Sequence, residues 1–144
     1  MHGWRKDIAD AARKPDLGGE ELLYIFFAHT ATSQAKGVEF LGRFLARTED
    51  RGTMCTMEAL NGQYDAVVEW GIPDHAKLAR LTSIAQPTLV ANGDNDLMIP
   101  AKLTHLMGGL IPNAKVKIYS DTARGFLFQY PVEFATEVLQ FLAD

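Results

Sequence analysis

The stretch PTLVANGDNDLMIP, residues 87–100, decides the fold of this chain. It opens on a short apolar run, Thr88–Ala91, which is followed by the turn pair Asn92–Gly93. A short β-branched run that is closed by turn residues predicts a buried parallel strand. In open α/β sheets the catalytic and ligand-binding groups lie at the carboxyl ends of such strands. Asp96, in the loop that follows, therefore lies where a catalytic acid would be expected.

The remainder of the second half alternates between helix and strand. Residues 101–110 predict a helix, residues 115–119 a second strand, and Pro131 begins a last helix. On this last helix we expect a buried face of four apolar residues, Phe134, Val138, Phe141 and Leu142. Two parallel strands leave rows of unpaired backbone groups and do not form a stable sheet alone. The sequence therefore predicts an α/β protein with a small parallel sheet that belongs to a larger one.

The first 84 residues predict helices. Apolar residues recur at helical spacing over residues 4–14, 34–47 and 57–70, and a short helix follows Asp74. The apolar stripe of the second helix consists of Val38, Phe40, Leu41, Phe44 and Leu45. Residues 20–28 fit a helix, although Ile25–Phe27 would equally fit a strand. We accordingly divide the chain into a helical region, residues 1–84, and a β-α-β-α part, residues 85–144, which together form one compact unit.

Composition excludes several classes of function. With 144 residues, 47% hydrophobic and 22% charged, the chain is an ordinary globular domain. A net charge of −4 with scattered basic residues predicts no nucleic-acid partner. The apolar runs are far shorter than the ~20 residues that span a bilayer, and the first residues lack the apolar part of a secretory signal. One cysteine, Cys55, excludes an internal disulfide. We expect a cytoplasmic protein with no membrane partner.

The sequence also predicts no cofactor and no metal. Neither G-x-G-x-x-G nor G-x-x-x-x-G-K, the glycine-rich patterns that hold phosphate groups, occurs in the chain. The four histidines show no spacing typical of metal ligands.

From Gln86 onward the chain resembles the C-terminal part of the α/β-hydrolase fold family. The resemblance rests on a strand, G-x-x-D-x-x-x-P (Gly93, Asp96, Pro100), a helix, a second strand, and G-F-x-F from Gly125 before the last helix. It implies that the helical first half is the lid of that fold. It also implies that Asp96 holds the position of the triad acid, and that Arg124, directly before the glycine, holds the position of the triad histidine.

Two departures from the family pattern decide the expected function. The nucleophile elbow G-x-S-x-G is not found around Ser33, Ser83 or Ser120. Arg124 is not competent as a base, because a guanidinium stays protonated and cannot accept a proton. We expect Asp96 and Arg124 to form a carboxylate–guanidinium pair, for which a bidentate geometry is available. The alternative for Asp96 is an ordinary turn residue at the entry of a helix.

We therefore expect a truncated and catalytically incomplete α/β-hydrolase, a pseudoenzyme that acts as a structural or binding module. The alternative is the C-terminal half of a split hydrolase, completed by another chain that carries G-x-S-x-G and cleaves ester or related acyl bonds. The bare strand edge predicts a homodimer or a complex with a complementary N-terminal half chain. The substrate-binding candidates are His29, Phe27, Trp70 and Phe126, and for the aromatic ones burial in the core is the alternative.

Overall fold

The computed structural model describes residues 4–14, 17–50, 52 and 55–143. Helices make up the first half of the chain, as predicted, and a β-α-β-α unit makes up the second. In chain order the elements are α1 (Lys6–Ala12), α2 (Gly19–Phe26), α3 (Ala31–Ala46), α4 (Met57–Trp70), α5 (His75–Ala79), a 3₁₀ turn (Arg80–Ser83), β1 (Thr88–Gly93), α6 (Ala101–Leu110), β2 (Ala114–Tyr119), α7 (Phe126–Gln129) and α8 (Pro131–Ala143).

The boundary between α2 and α3 shows whether residues Ile25–Phe27, which fit either a helix or a strand by sequence, are helical. Ile25 and Phe26 belong to helix α2, and Phe27 leaves it with an extended backbone. Helix α3 begins at Ala31, earlier than the periodicity predicts. The reason is the cap: the Thr30 hydroxyl accepts a hydrogen bond from the backbone N–H of Ser33 at 3.2 Å and so satisfies one of the orphan donors of the first turn.

The two predicted strands pair in parallel, with Val90 opposite Val116. Side chains alternate between the faces of the sheet. On the Val116 face lies α6, so close that a Cβ on its Gly108 would stand 2.1 Å from Cγ2 of Val116. On the other face Lys115 forms an ion pair with Glu137 of α8 at 2.8 Å. The sheet therefore has a helix on each face, which confirms the predicted β-α-β-α arrangement.

The apolar stripes of α3 and α8 are buried only in part. In α3, Leu41 is buried, but Val38 and Leu45 are more than half exposed. The prediction that Leu142 belongs to a buried face of α8 is wrong, because its side chain is largely exposed, as is that of Leu139. Periodicity identifies the apolar side of a helix, but burial also requires an element that covers it. Among the described residues, no helix is long and apolar enough to cross a membrane.

Candidate active site at the carboxyl end of the sheet

Asp96 lies in the loop that connects β1 to α6, and its side chain is only 2% exposed. One carboxylate oxygen, Oδ1, accepts hydrogen bonds from the backbone N–H groups of Met98 at 2.8 Å and Ile99 at 3.0 Å. These bonds shape the turn that leads into α6, so Asp96 has the helix-entry role that was the alternative to a catalytic one. They also leave the second oxygen, Oδ2, for another partner.

That partner is Arg124, in the loop after β2. Its Nε lies 3.8 Å from Oδ2 of Asp96, and its side chain is 31% exposed. The structure thus brings together the two residues that the resemblance assigns to the triad-acid and triad-histidine positions. The contact is a single ion pair without the bidentate hydrogen bonds that we considered, since Arg124 Nε has no acceptor among the described residues.

The loop that carries Arg124 is held by Asp94, whose role the residue pattern did not reveal. The Asp94 carboxylate accepts the N–H groups of Asp121 at 3.1 Å and Thr122 at 3.2 Å. The loops after the two strands also touch directly: a Cβ on Gly93 would lie 2.3 Å from the carbonyl oxygen of Ala123, so only glycine fits. An acidic residue directly after a strand was the available signal, but aspartate is common in turns for local reasons.

A buried polar network connects the same loop to the helical first half. Ser33 Oγ donates to Gln129 Oε1 at 2.7 Å and accepts from the N–H of Ala28 at 2.9 Å. Gln129 Nε2 in turn donates to the carbonyl of Asp121 at 2.9 Å, and Thr30 Oγ1 donates to Oδ1 of Asp121 at 2.7 Å. These residues are far apart in sequence, so no local pattern could predict the network. Through it, the geometry of the Arg124 loop depends on α3.

The four candidates for substrate contacts do not meet in one place. Phe27 is 1% exposed, and Phe126 is buried with its ring stacked on that of Tyr119 at 5.0 Å. Trp70, at the end of α4, is 73% exposed. His29 lies beside a shallow groove of about 370 Å³, where its ring packs on Tyr24 at 4.6 Å. A role of these residues in substrate binding stays a prediction.

The chemistry of the site is that of a buried acid whose partner is a guanidinium. Asp96 can orient a donor, but Arg124 offers only hydrogen-bond donors and no acceptor. Burial raises the pKa of the Tyr119 phenol at the end of β2, and Glu133 and Glu137 raise it further. This phenol therefore stays protonated at neutral pH and does not serve as a base. Within the described part of the chain, no group of three His, Cys, Asp or Glu side chains could hold a metal ion.

Solved structures show what the chain is similar to. An α/β-hydrolase fold protein from Chitinophaga pinensis is 29% identical with a TM-score of 0.82, and the match covers 97% of this chain and 52% of that one. The structure of Rv0554 from Mycobacterium tuberculosis (19% identical, TM-score 0.66) is matched over 99% of this chain and 53% of its own. A thermophilic esterase from Thermogutta terrifontis (18% identical, TM-score 0.60) is matched over 96% and 48%.

No family model and no curated protein matches the sequence. The likeness is therefore one of fold, and the chain spans about half the length of the solved structures that it matches. The order of its elements and this half coverage agree with the C-terminal part of the fold. The fold of this chain is thus similar to about half of an α/β-hydrolase fold protein.

Proposed function

We propose that this chain is the acid-bearing half of an α/β-hydrolase fold in which Arg124 has replaced the catalytic base, so that it serves as a structural or binding module. The observation that carries the proposal is the contact between Arg124 Nε and the buried Oδ2 of Asp96 at 3.8 Å. In a triad the acid orients an imidazole, which takes the proton of the nucleophile. A guanidinium in that place preserves the ion pair but cannot take a proton.

The alternative is that the chain is one half of a working hydrolase. It is supported by the coverage of about half of each solved relative and by the exposed apolar faces of α6 and α8. The Thermogutta terrifontis structure is that of an esterase, so ester or related acyl bonds would be the substrate class. This alternative needs a complementary half that supplies both a nucleophile and a base, whereas the first proposal needs neither.

Replacing Arg124 by histidine distinguishes the two proposals. The purified chain is refolded together with a complementary α/β-hydrolase half that carries G-x-S-x-G, and hydrolysis of an activated short-chain ester is followed. With Arg124 in place we expect no turnover above that of the complementary half alone. Because a positioned general base contributes roughly 10²–10⁴-fold to such rates, the Arg124→His variant should raise turnover by a factor in that range.

The matched control is the double variant Arg124→His with Asp96→Asn, which keeps the imidazole but removes the acid that orients it. Its turnover should return toward the level of the unmodified chain. Turnover well above that of the complementary half alone with Arg124 in place, and not increased by histidine, would contradict the proposal and favour a working split hydrolase. The circular dichroism spectrum of the double variant should match that of the parent chain, which verifies that the variant is folded.

A further inference from the structure

We propose that the groove between α2 and α3 binds an aliphatic carboxylate, such as a fatty acid, and that Arg43 holds its head group. The groove has a volume of about 760 Å³ and lies between the N-terminal end of α2 and the C-terminal end of α3. Small-molecule sites typically have volumes of about 300–1,000 Å³. Among the described residues, neither Asp96 nor Arg124 lines this groove, so the proposal goes beyond the function proposed above and does not depend on it.

Most of the groove surface is apolar. Its apolar side chains are Leu17, Leu22, Leu41, Phe44 and Leu45. Leu41 is buried, but Phe44 and Leu45 are each more than half exposed. Gly18 and Gly19 line the groove at the start of α2, and a Cβ on Gly19 would lie 3.2 Å from Cδ1 of Leu41. Such a surface favours a ligand with an aliphatic body, because binding removes the apolar surfaces of both from water.

The charged residues of the groove are two arginines and one aspartate, Arg43, Arg47 and Asp50. Arg47 is committed to the loop after α3, since its Nε donates to the carbonyl of Glu49 at 3.0 Å and its Nη2 to that of Asp50 at 3.3 Å. These bonds stabilise a turn in which Asp50 has a left-handed backbone with φ 49°. Arg43, in the last turn of α3, makes no hydrogen bond or ion pair with another described residue. Its guanidinium therefore keeps its five N–H donors for a ligand.

The available donors of Arg43 select the head group of the ligand. A basic residue in the last turn often bonds the last carbonyl groups of its helix, but within the described part of the chain Arg43 forms no such bond. A planar guanidinium binds a carboxylate through two parallel N–H···O bonds. Two arginines and one aspartate give the groove a net charge of +1, which matches one carboxylate, whereas a phosphate monoester carries about −1.5 to −2 at neutral pH. An apolar groove with one available guanidinium thus fits an aliphatic carboxylate.

Titration of the full chain with decanoate, kept below its micelle concentration and followed by NMR, tests the proposal. We expect saturable binding that shifts the backbone amides of Gly19 and Leu22. The amides of Asp96 and Arg124 should not shift. The Arg43→Gln variant should bind decanoate about 10-fold more weakly, because hydrogen bonds from a charged donor are lost. Decanol has the same chain without the carboxylate, so its affinity should be equal for the parent and for this variant.

Two matched variants complete the test. Arg80→Gln removes the same charge from an exposed position outside the groove and should leave decanoate binding unchanged. Phe44→Ala should weaken the binding of decanoate and decanol alike, because it removes apolar surface that both chains contact. Equal weakening by the Arg43 and Arg80 variants would overturn the role of Arg43, and amide shifts around Arg124 in place of Gly19 would overturn the location of the site. Absence of saturable decanoate binding would overturn the whole proposal and leave the proposed function intact.

Discussion

The helices α3 and α4 are both amphipathic, but they differ in how much of the apolar face the folded chain buries. Helix α3 buries Ser33, Gly37 and Leu41, whereas no residue of α4 is buried. Both helices begin with a threonine whose hydroxyl accepts a backbone N–H at 3.2 Å, Thr30 for α3 and Thr56 for α4. Pattern and cap are thus sufficient to form a helix, while burial depends on what lies opposite its apolar face.

What lies opposite α3 is the aromatic and polar surface around α7. The Phe40 ring stacks on that of Phe128 with centroids 4.4 Å apart. The turn before α3 is also anchored, since the N–H of Gly125 donates to the carbonyl of Phe26 at 2.6 Å. Helix α4 instead contacts the segment before α1 through Tyr64, whose ring centroid lies 5.7 Å from that of Trp4. We therefore expect α3 to contribute to the global stability of the fold, and α4 to open independently.

The largest expected difference in unfolding free energy arises when one aromatic ring is removed near α3 and another is removed from α4. Phe27→Ala should lower the free energy of unfolding by ~3–5 kcal/mol, because the ring is almost fully buried and its loss leaves a cavity. Trp70→Ala, at the exposed end of α4, should change it by less than ~0.5 kcal/mol. Urea unfolding followed by circular dichroism measures both. Similar losses for the two variants would show that α4 is packed as tightly as the region around α3.

A smaller effect, opposite in sign on the two helices, is expected from glycine-to-alanine substitutions. In α3 a Cβ on Gly37 would lie 2.4 Å from Cδ2 of Leu23 and 2.9 Å from the ring of Phe27. Gly37→Ala should therefore destabilise the fold by ~1–3 kcal/mol through overpacking. In α4 a Cβ on Gly62 meets nothing within 4 Å. Gly62→Ala should stabilise the helix by ~0.5–1 kcal/mol, because alanine loses less backbone entropy.

Thermal melts of these two variants against the parent give the sign directly. A stabilising Gly37→Ala substitution would mean that the contact between α2 and α3 is looser than the distances imply. A destabilising Gly62→Ala substitution would mean that an element covers this face of α4.

The smallest expected effect is a pH-dependent change in the stability of a helix through its N-terminal cap. Backbone hydrogen bonds from Lys77 and Ala76 lower the pKa of Asp74, the N-cap of α5, below its ordinary 3.8. A lowered pKa contributes stability that is present above pH 3.8 and is lost as the pH falls through the lowered value. The first turn of α5 should therefore loosen below about pH 3.8, whereas α4, capped by the hydroxyl of Thr56, has a cap that does not depend on a carboxylate.

An NMR titration tests this expectation through the Asp74 carboxyl resonance and the backbone shifts of α5. Asp74→Ser is the matched control, because serine also caps helices but does not titrate. In that variant the shifts of α5 should lose their pH dependence. A carboxyl of Asp74 that titrates at or above its ordinary value would contradict the cap geometry.

Local patterns were sufficient for most of the elements and for the position of Asp96 in the loop after β1. The apolar run before Asn92–Gly93 predicted β1, and the spacing Gly93, Asp96, Pro100 located Asp96 in the following loop. Helix α6 was predicted with its observed bounds, Ala101–Leu110. These features depend on steric limits on turns, on strand alternation and on helical periodicity. Each of these rules involves only residues that are close in sequence, so the sequence displays it directly.

The roles of Asp94, Ser33 and Gln129 required the folded chain. Ser33 and Gln129 hydrogen-bond across 96 positions of sequence, and Asp94 holds a loop 27 positions away. The residue pattern was enough for most of the secondary structure and for the parallel strand pair. Folding in three dimensions settled which apolar faces are buried, as on α8, and brought Arg124 to Asp96. Both outcomes depend on distances between segments that local chemistry does not specify.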